Sequence, residues 1–154
     1  MTGPTSLFTP LAKAVSCPLA VALLFAAAPA VAEEGNDLTF TGDATFIAPH
    51  GGQTIHVALY DVVAGKVLTT QQGQVAANEP PAFSFSFPGA LEAGKLYDVH
   101  YWIDSNFGGG SEGSCDPVNV DHQWRVALTD ITGPVDIQEA HAPGEQAPVC
   151  TSFK

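Results

Sequence analysis

Basic residues are scarce in this chain of 154 residues, which has five Lys and Arg against sixteen Asp and Glu. The formal net charge is −11, and the few cations are not clustered. The sequence therefore excludes general nucleic-acid binding and attachment to anionic lipid through a basic patch. Charged residues of both signs reach only 14%, against about 25% in a typical soluble domain. Because 45% of the residues are hydrophobic, a buried core is expected all the same.

The N-terminal segment lacks an apolar run long enough to cross a membrane. Lys13 is the only charge in the first 32 residues, the apolar stretch 14–28 follows it, and Ala30-Val31-Ala32 precedes the acidic Glu33. These three parts predict a bacterial-type signal peptide, residues 1–32, with cleavage after Ala32. A membrane-spanning helix needs about 20 apolar residues, so we expect no transmembrane anchor in the mature chain. We therefore expect a periplasmic or secreted protein whose mature chain, 33–154, forms a single acidic domain.

Cysteine is nearly absent, with three residues in all. Cys17 falls within the expected signal peptide, which leaves Cys115 and Cys150 in the exported chain. Outside the cytoplasm such a pair is normally a disulfide. Since the Cys-x-x-Cys spacing of redox and zinc sites is missing, we predict a structural bridge that ties the tail, 141–154, to the Gly-rich loop around Cys115.

Helical periodicity is absent after Glu33, and alternation with a period of two takes its place. The alternation is clearest where Phe83, Phe85 and Phe87 are separated by serines. Strands are predicted at 54–60, 83–87, 97–103 and 124–128, with weaker signals at 38–47, 66–70 and 135–139. Turn residues separate these segments, including Pro49-His50-Gly51-Gly52 and Pro88-Gly89.

About seven short strands in a mature chain of this length predict an all-β fold, an antiparallel β-sandwich. In overall plan the chain resembles immunoglobulin-like or transthyretin-like secreted sandwiches. The resemblance is one of architecture, which does not carry function.

The densest group of polar residues lies in the loop 104–122. Asp104 and Asn106 have the spacing that opens an EF-hand-type calcium loop, but Phe107-Gly108 replaces the third acidic position. Oxygen-rich loops with glycines are typical of Ca²⁺ sites, whereas a solvated surface loop of turn-forming residues has the same composition. The candidate ligands of a divalent ion in this loop are Asp104, Asn106, Glu112, Asp116 and Asp121.

Histidines provide a second candidate metal site. His56 and His100 lie on predicted strands and His122 shares a face with Trp124 of the next one, so neighbouring strands could bring the three imidazoles together. Imidazole suits Cu²⁺ or Zn²⁺. This alternative predicts a periplasmic transition-metal protein with a redox or transport role.

Aromatic residues flank the Gly-rich loop, and Tyr101, Trp102 and Phe107 are candidate contacts for a small ligand, a glycan or a protein partner. Tyr101 also suits the core of the sandwich. No nucleophile motif is found, so no catalytic residue is predicted. The sequence thus favours an exported, non-enzymatic binding module whose working surface is the loop 104–122. The alternatives are the transition-metal protein and a structural envelope protein without a small ligand.

Overall fold

The computed structural model describes Gly3 and residues 35–154. By its internal contacts the chain divides into Met1–Ala32 and Glu33–Lys154. The predicted signal peptide lies, apart from Gly3, outside the described residues. Within the described part of the chain, no helix has the length and apolar character that crossing a membrane requires.

Seven strands dominate the domain, and the predicted all-β sandwich is confirmed. The strands are β1 (Asn36–Gly42), β2 (Thr54–Asp61), β3 (Lys66–Gln74), β4 (Phe83–Leu91), β5 (Tyr97–Ile103), β6 (His122–Leu128) and β7 (Val135–Glu139). A short 3-10 turn (Ala44–Phe46) and a single helical turn, α1 (Ile47–His50), connect β1 to β2. Two further 3-10 turns, Pro143–Glu145 and Cys150–Phe153, lie in the C-terminal tail.

The strands form two sheets, with the orders β4-β1-β7 and β3-β2-β5-β6. Every pairing is antiparallel except that of β1 with β7, in which Gly42 lies beside Glu139. An immunoglobulin constant domain places its first, second, fifth and fourth strands in one sheet. Here the second and third strands are neighbours and the first is in the other sheet, so the domain does not follow the immunoglobulin plan.

The core lies between the two sheets and is rich in aromatic rings. The inward face of β2 carries Ile55, Val57 and Leu59, each fully buried, as the alternation predicts. The ring of Phe40 on β1 lies 5.1 Å from that of Tyr101 on β5, and this contact joins the two sheets. Side chains at alternate positions face one side of a strand, which explains why the period-two pattern finds the core residues.

Two local features differ from the sequence-based prediction. The first strand ends at Gly42 and does not continue to Ile47, because Asp43 caps the following turn by accepting a hydrogen bond from the Thr45 amide. Pro88-Gly89, predicted as a turn, lies within β4, where the register of pairing with β1 shifts. Gly89 has a φ of 60° there, a conformation that glycine adopts without strain.

The C-terminal tail covers the outer face of the four-stranded sheet. The predicted disulfide between Cys115 and Cys150 is confirmed. The buried Gln123 side chain fastens the tail further, since its oxygen accepts from the Val149 amide at 2.9 Å and its amide donates to the Asp116 carbonyl at 2.6 Å. As a result β5 is buried along its whole length.

Candidate metal centre

Three imidazoles converge at one end of the sandwich. The Nε2 atom of His50 lies 3.0 Å from Nδ1 of His122 and 3.2 Å from Nε2 of His141, and these last two nitrogens are 3.3 Å apart. His50 is fully buried, while His122 and His141 are partly exposed. Within residues 35–154 this is the group of His, Cys, Asp or Glu side chains whose ligand atoms lie close enough together to hold a metal ion.

Each histidine is placed by a different part of the fold. His50 ends α1, where the Gly51 amide donates to the Ile47 carbonyl at 2.8 Å and closes the helical turn. His122 is the first residue of β6. His141 follows β7, and its amide donates to the Thr45 hydroxyl at 2.8 Å. The parallel pairing of β7 with β1 therefore delivers the third imidazole to the segment that carries the first.

Aromatic side chains surround the three imidazoles. The Phe46 ring lies 5.5 Å from His141, and the Trp124 ring lies 5.6 Å from His122 and 5.7 Å from His141. On the exposed side the Phe107 ring lies 5.0 Å from His122. These rings restrict the orientation of the imidazoles and limit the water around them.

The cluster favours neutral imidazole, the form that binds metals. The pKa of His50 is lowered to about 4, chiefly by burial and to a smaller extent by charge repulsion from His122 and His141, while the hydrogen bond to Gln53 opposes the shift. Burial also lowers the pKa of His122 and that of His141, the first with a contribution from repulsion by His141. All three side chains are therefore neutral at pH 7.

A hydrogen bond fixes the tautomer of His50. Its Nδ1 atom lies 2.7 Å from the side-chain oxygen of Gln53, and because that oxygen can only accept, Nδ1 carries the proton. The Nε2 atom then directs its lone pair at the other two histidines. Hydrogen bonds of this kind orient the ligands of metal sites and raise their basicity.

The spacing of the three nitrogens matches a tetrahedral ion. Bonds of about 2.0 Å to nitrogen place tetrahedral ligand atoms about 3.3 Å apart, and the sides of the triangle are 3.0 to 3.3 Å. The centre of the triangle is about 1.8 Å from each nitrogen (the mean side divided by the square root of three), which is shorter than a zinc–nitrogen bond. His50, His122 and His141 would supply three nitrogen ligands to such an ion, as in zinc sites that also bind water.

The carboxylates predicted as calcium ligands hold the loop 104–122 together instead. The fully buried Asp121 accepts from the backbone amides of Ser105 at 3.0 Å, Asn106 at 3.1 Å and Asp116 at 2.9 Å. Asp104 contacts the Asn106 side-chain amide and accepts from the Gly113 amide at 2.7 Å.

The two remaining acidic residues of the loop, Asp116 and Glu112, differ in their contacts. Asp116 accepts from the Ser111 amide, and Glu112 is exposed. Asp104, Asp116 and Asp121 thus accept hydrogen bonds from the loop's own backbone, and calcium binding is not supported.

The structure separates the three histidines that the sequence grouped. His122 belongs to the cluster, whereas His56 stacks on Trp102 with ring centroids 4.2 Å apart and nearly parallel planes. His100 is bonded to Ser152 at 2.7 Å and stacks on Tyr60. Both side chains point to the outer face of the four-stranded sheet, so neither joins His122.

The aromatic residues proposed as ligand contacts differ in exposure. Tyr101 is fully buried in the core and Trp102 is 2% exposed beneath the tail, so neither offers surface to a ligand. Phe107 is 40% exposed and covers part of the histidine cluster. Of the three, Phe107 alone is placed to meet a molecule that approaches the histidine cluster.

His50, His141 and Gln53 were missed by the sequence reasoning. His50 was assigned to a turn and His141 to the tail, so neither fell on a strand whose alternation assigns a face. The presence of five histidines in the chain was the only sequence signal for such a cluster. Their number does not show which three of them converge.

No known family model matches the sequence, and no curated protein is significantly similar to it. Among solved structures, the chain is similar to a fimbrial assembly protein from Parabacteroides distasonis, with 12% sequence identity and a TM-score of 0.37. The match covers 68% of this chain and spans about half of the other, 51%. Because identity and overlap are both this low, the similarity assigns neither a family nor a function to the chain.

Proposed function

We propose that this protein binds one transition-metal ion, copper or zinc, through His50, His122 and His141. The observation that carries the proposal is the triangle of imidazole nitrogens with sides of 3.0 to 3.3 Å. Nitrogen-rich, carboxylate-free sites favour copper and zinc over calcium or magnesium. A His₃ set with a free fourth position is also the arrangement of zinc sites that bind water or a substrate.

A cation satisfies the cluster better than hydrogen bonds can. Nδ1 of His50 donates a hydrogen bond to the Gln53 side-chain oxygen, so Nε2 of His50 can only accept one. A neutral His122 or His141 can donate one proton to it, but the remaining lone pairs then face one another within 3.3 Å. One ion at the centre accepts all three lone pairs and removes this repulsion.

We infer that the metal is bound outside the cytoplasm. The predicted signal peptide, 1–32, directs export, and the disulfide between Cys115 and Cys150 is typical of an oxidising compartment. The site then serves in the periplasm or in the surrounding medium, where histidine ligands, unlike thiolates, do not compete with disulfide formation.

Calorimetric titration of the apoprotein with Zn²⁺, Cu²⁺ and Ca²⁺ tests the proposal. We expect one Zn²⁺ or one Cu²⁺ per chain and no heat with Ca²⁺. His122→Gln should abolish tight binding of both ions, because it removes one of only three ligands. His56→Gln is the matched control, since His56 lies on the outer face of the sheet and should leave the stoichiometry and affinity unchanged. Absence of Zn²⁺ and Cu²⁺ binding to the wild type, or equal affinity in His122→Gln, would contradict the proposal.

A further inference from the structure

Ser152, His100 and Asp98 lie next to one another on the outer face of the four-stranded sheet, away from the histidine cluster. The Ser152 hydroxyl lies 2.7 Å from Nδ1 of His100, and Nε2 of His100 lies 3.6 Å from a carboxylate oxygen of Asp98. The hydroxyl can donate to the imidazole on one side while the carboxylate faces the N–H on the other. A candidate nucleophile is thus hydrogen-bonded to a candidate base, and a carboxylate lies beside the other nitrogen of that base.

The sheet holds the base and its carboxylate rigidly. Asp98 and His100 are two residues apart on β5, so they share a face, and their side chains are 12% and 10% exposed. The Tyr60 ring from β2 stacks on the imidazole at 4.8 Å. Burial lowers the pKa of His100, although Asp98 opposes the shift. The imidazole is therefore neutral at pH 7 and able to accept a proton.

The Nε2 atom of His100 has no hydrogen-bond partner within 3.5 Å, although it is buried. The nearest group is the Asp98 carboxylate at 3.6 Å. Such a contact is long in the resting protein and shortens when the imidazole becomes charged, as contacts in catalytic sites often do.

A cleft opens beside these groups. It has a volume of about 350 Å³ and is lined by the three residues together with Tyr60, Arg125 and Thr151. The Arg125 Nε atom lies 3.7 Å from a carboxylate oxygen of Asp98, and the Arg125 side chain is 59% exposed. Arg125 is therefore the cation among the residues that line this cleft.

The tail fixes the serine in place. Ser152 lies in the 3-10 turn Cys150–Phe153, and its amide donates to the Val149 carbonyl at 2.9 Å. Val149 is held in turn by Gln123, and Cys150 is held by the disulfide. The serine is thus positioned by two independent attachments to the loop and to β6.

We propose that Ser152, His100 and Asp98 form an esterase site for small carboxylic esters. The Ser152 oxygen attacks the ester carbonyl carbon while His100 takes the hydroxyl proton at Nδ1, and Asp98 stabilises the resulting imidazolium. Arg125 stabilises the charge on the carbonyl oxygen. Collapse breaks the ester C–O bond, and His100 returns the proton to the departing alcohol.

Water then completes the reaction. It attacks the acyl-serine, His100 accepts a proton from it, and the carboxylic acid leaves as Ser152 regains its hydrogen. Ester and water are the only reactants, so no redox partner or metal is required.

Covalent labelling tests the nucleophile directly. The disulfide-intact protein is incubated with a fluorophosphonate probe, and the modified residue is identified by peptide mass spectrometry. We expect one adduct, on Ser152. Ser152→Ala should prevent labelling, whereas Ser114→Ala, which removes an exposed serine of a neighbouring cleft, should not. The proposal would be overturned if the folded wild type gave no adduct on Ser152. It would also be overturned if the probe labelled Ser152 in His100→Gln as fast as in the wild type.

Hydrolysis of 4-nitrophenyl acetate provides the second readout. Ser152→Ala and His100→Gln should each lower the rate by about 100-fold or more, as loss of a nucleophile or a general base does. Circular dichroism shows whether each variant is folded. Addition of EDTA shows whether the nucleophile is Ser152 or a hydroxide bound to a metal ion. An unchanged rate of hydrolysis supports Ser152, whereas loss of the activity overturns the assignment. This outcome is independent of whether the histidine cluster binds metal.

Discussion

The Nδ1 atom of His50 lies 2.7 Å from the side-chain oxygen of Gln53, and this bond decides which nitrogen of His50 faces the other histidines. Gln53 follows α1 by three residues, and its amide donates to the His50 carbonyl at 2.9 Å. The backbone and the side chain of Gln53 therefore both form hydrogen bonds with His50. The short connection between α1 and β2 therefore fixes the orientation of the His50 imidazole.

Gln53→Leu should weaken metal binding without removing a ligand. The loss of the hydrogen bond frees the His50 ring and its tautomer, and changes of this kind typically reduce affinity by about 10- to 100-fold. Competition with a chromophoric chelator measures the dissociation constant for Zn²⁺. Gln72→Leu, at an exposed position of β3, is the control and should bind as the wild type does. Equal affinities in the two variants would show that Gln53 does not orient His50.

Stability of the apoprotein should fall as the pH is lowered from about 6.5 to about 4. In the unfolded chain His50 titrates near 6.5, and in the folded protein burial lowers its pKa to about 4. Between these values the unfolded state binds more protons, so acid favours unfolding, and His50 contributes a loss of up to about 3 kcal/mol. Urea unfolding in EDTA at a series of pH values measures the slope.

The control for the pH effect is His50→Asn, which cannot titrate. Its free energy of unfolding should depend less steeply on pH than that of the wild type over the same interval. The same slope in both proteins would contradict a buried, neutral His50.

Copper should quench the fluorescence of one tryptophan more than the other. The Trp124 ring lies within 6 Å of His122 and His141, at 5.6 and 5.7 Å, whereas Trp102 lies on the other face of the sheet against His56. Paramagnetic Cu²⁺ at the cluster should therefore quench Trp124 strongly, with an end point at one ion per chain. Trp102→Phe should retain the quenching and Trp124→Phe should lose most of it. The reverse pattern would place the copper elsewhere.

Asp121→Ala should lower the free energy of unfolding by about 3 kcal/mol or more, because it leaves three backbone amides without their acceptor. These amides belong to Ser105, Asn106 and Asp116. Glu112→Ala, in the same loop but exposed, should change stability by no more than about 0.5 kcal/mol. Denaturant unfolding compares the two. If both variants were equally stable, the carboxylate of Asp121 would not be what organises the loop.

Most strands were predictable because one face lies in the core, whereas β3 has no fully buried side chain and was predicted only over 66–70. The predicted segments 97–103 and 135–139 coincide with β5 and β7, and the phenylalanines of β4 alternate as expected. Prediction was poorer where hydrogen bonds to side chains override the pattern. Asp43 ends β1 by capping a turn, and Gly89 carries β4 through an irregularity that reads as a loop.

The candidate sites were less predictable because they depend on how distant segments meet. His50 and His141 are 91 positions apart, and only the parallel pairing of β1 with β7 brings them together. The alignment of His100 with Ser152 depends on the path of the tail. Local periodicity contains no information on either. The disulfide was predictable since only two cysteines remained to pair.

Because β7 is attached to the sheet through β1, an ion bound at the histidine cluster would stabilise that attachment. β7 is an edge strand of five residues that pairs with β1 alone, and short edge strands are among the first elements to open in a native protein. A metal held by His141, just beyond β7, and by His50, between β1 and β2, would clamp this strand at its open end. Ligand binding to the folded state alone adds about 2.7 kcal/mol at a hundredfold excess over the dissociation constant. The ion would thus slow the fraying of the last strand, and protection of the β7 amides from hydrogen exchange would report its occupancy.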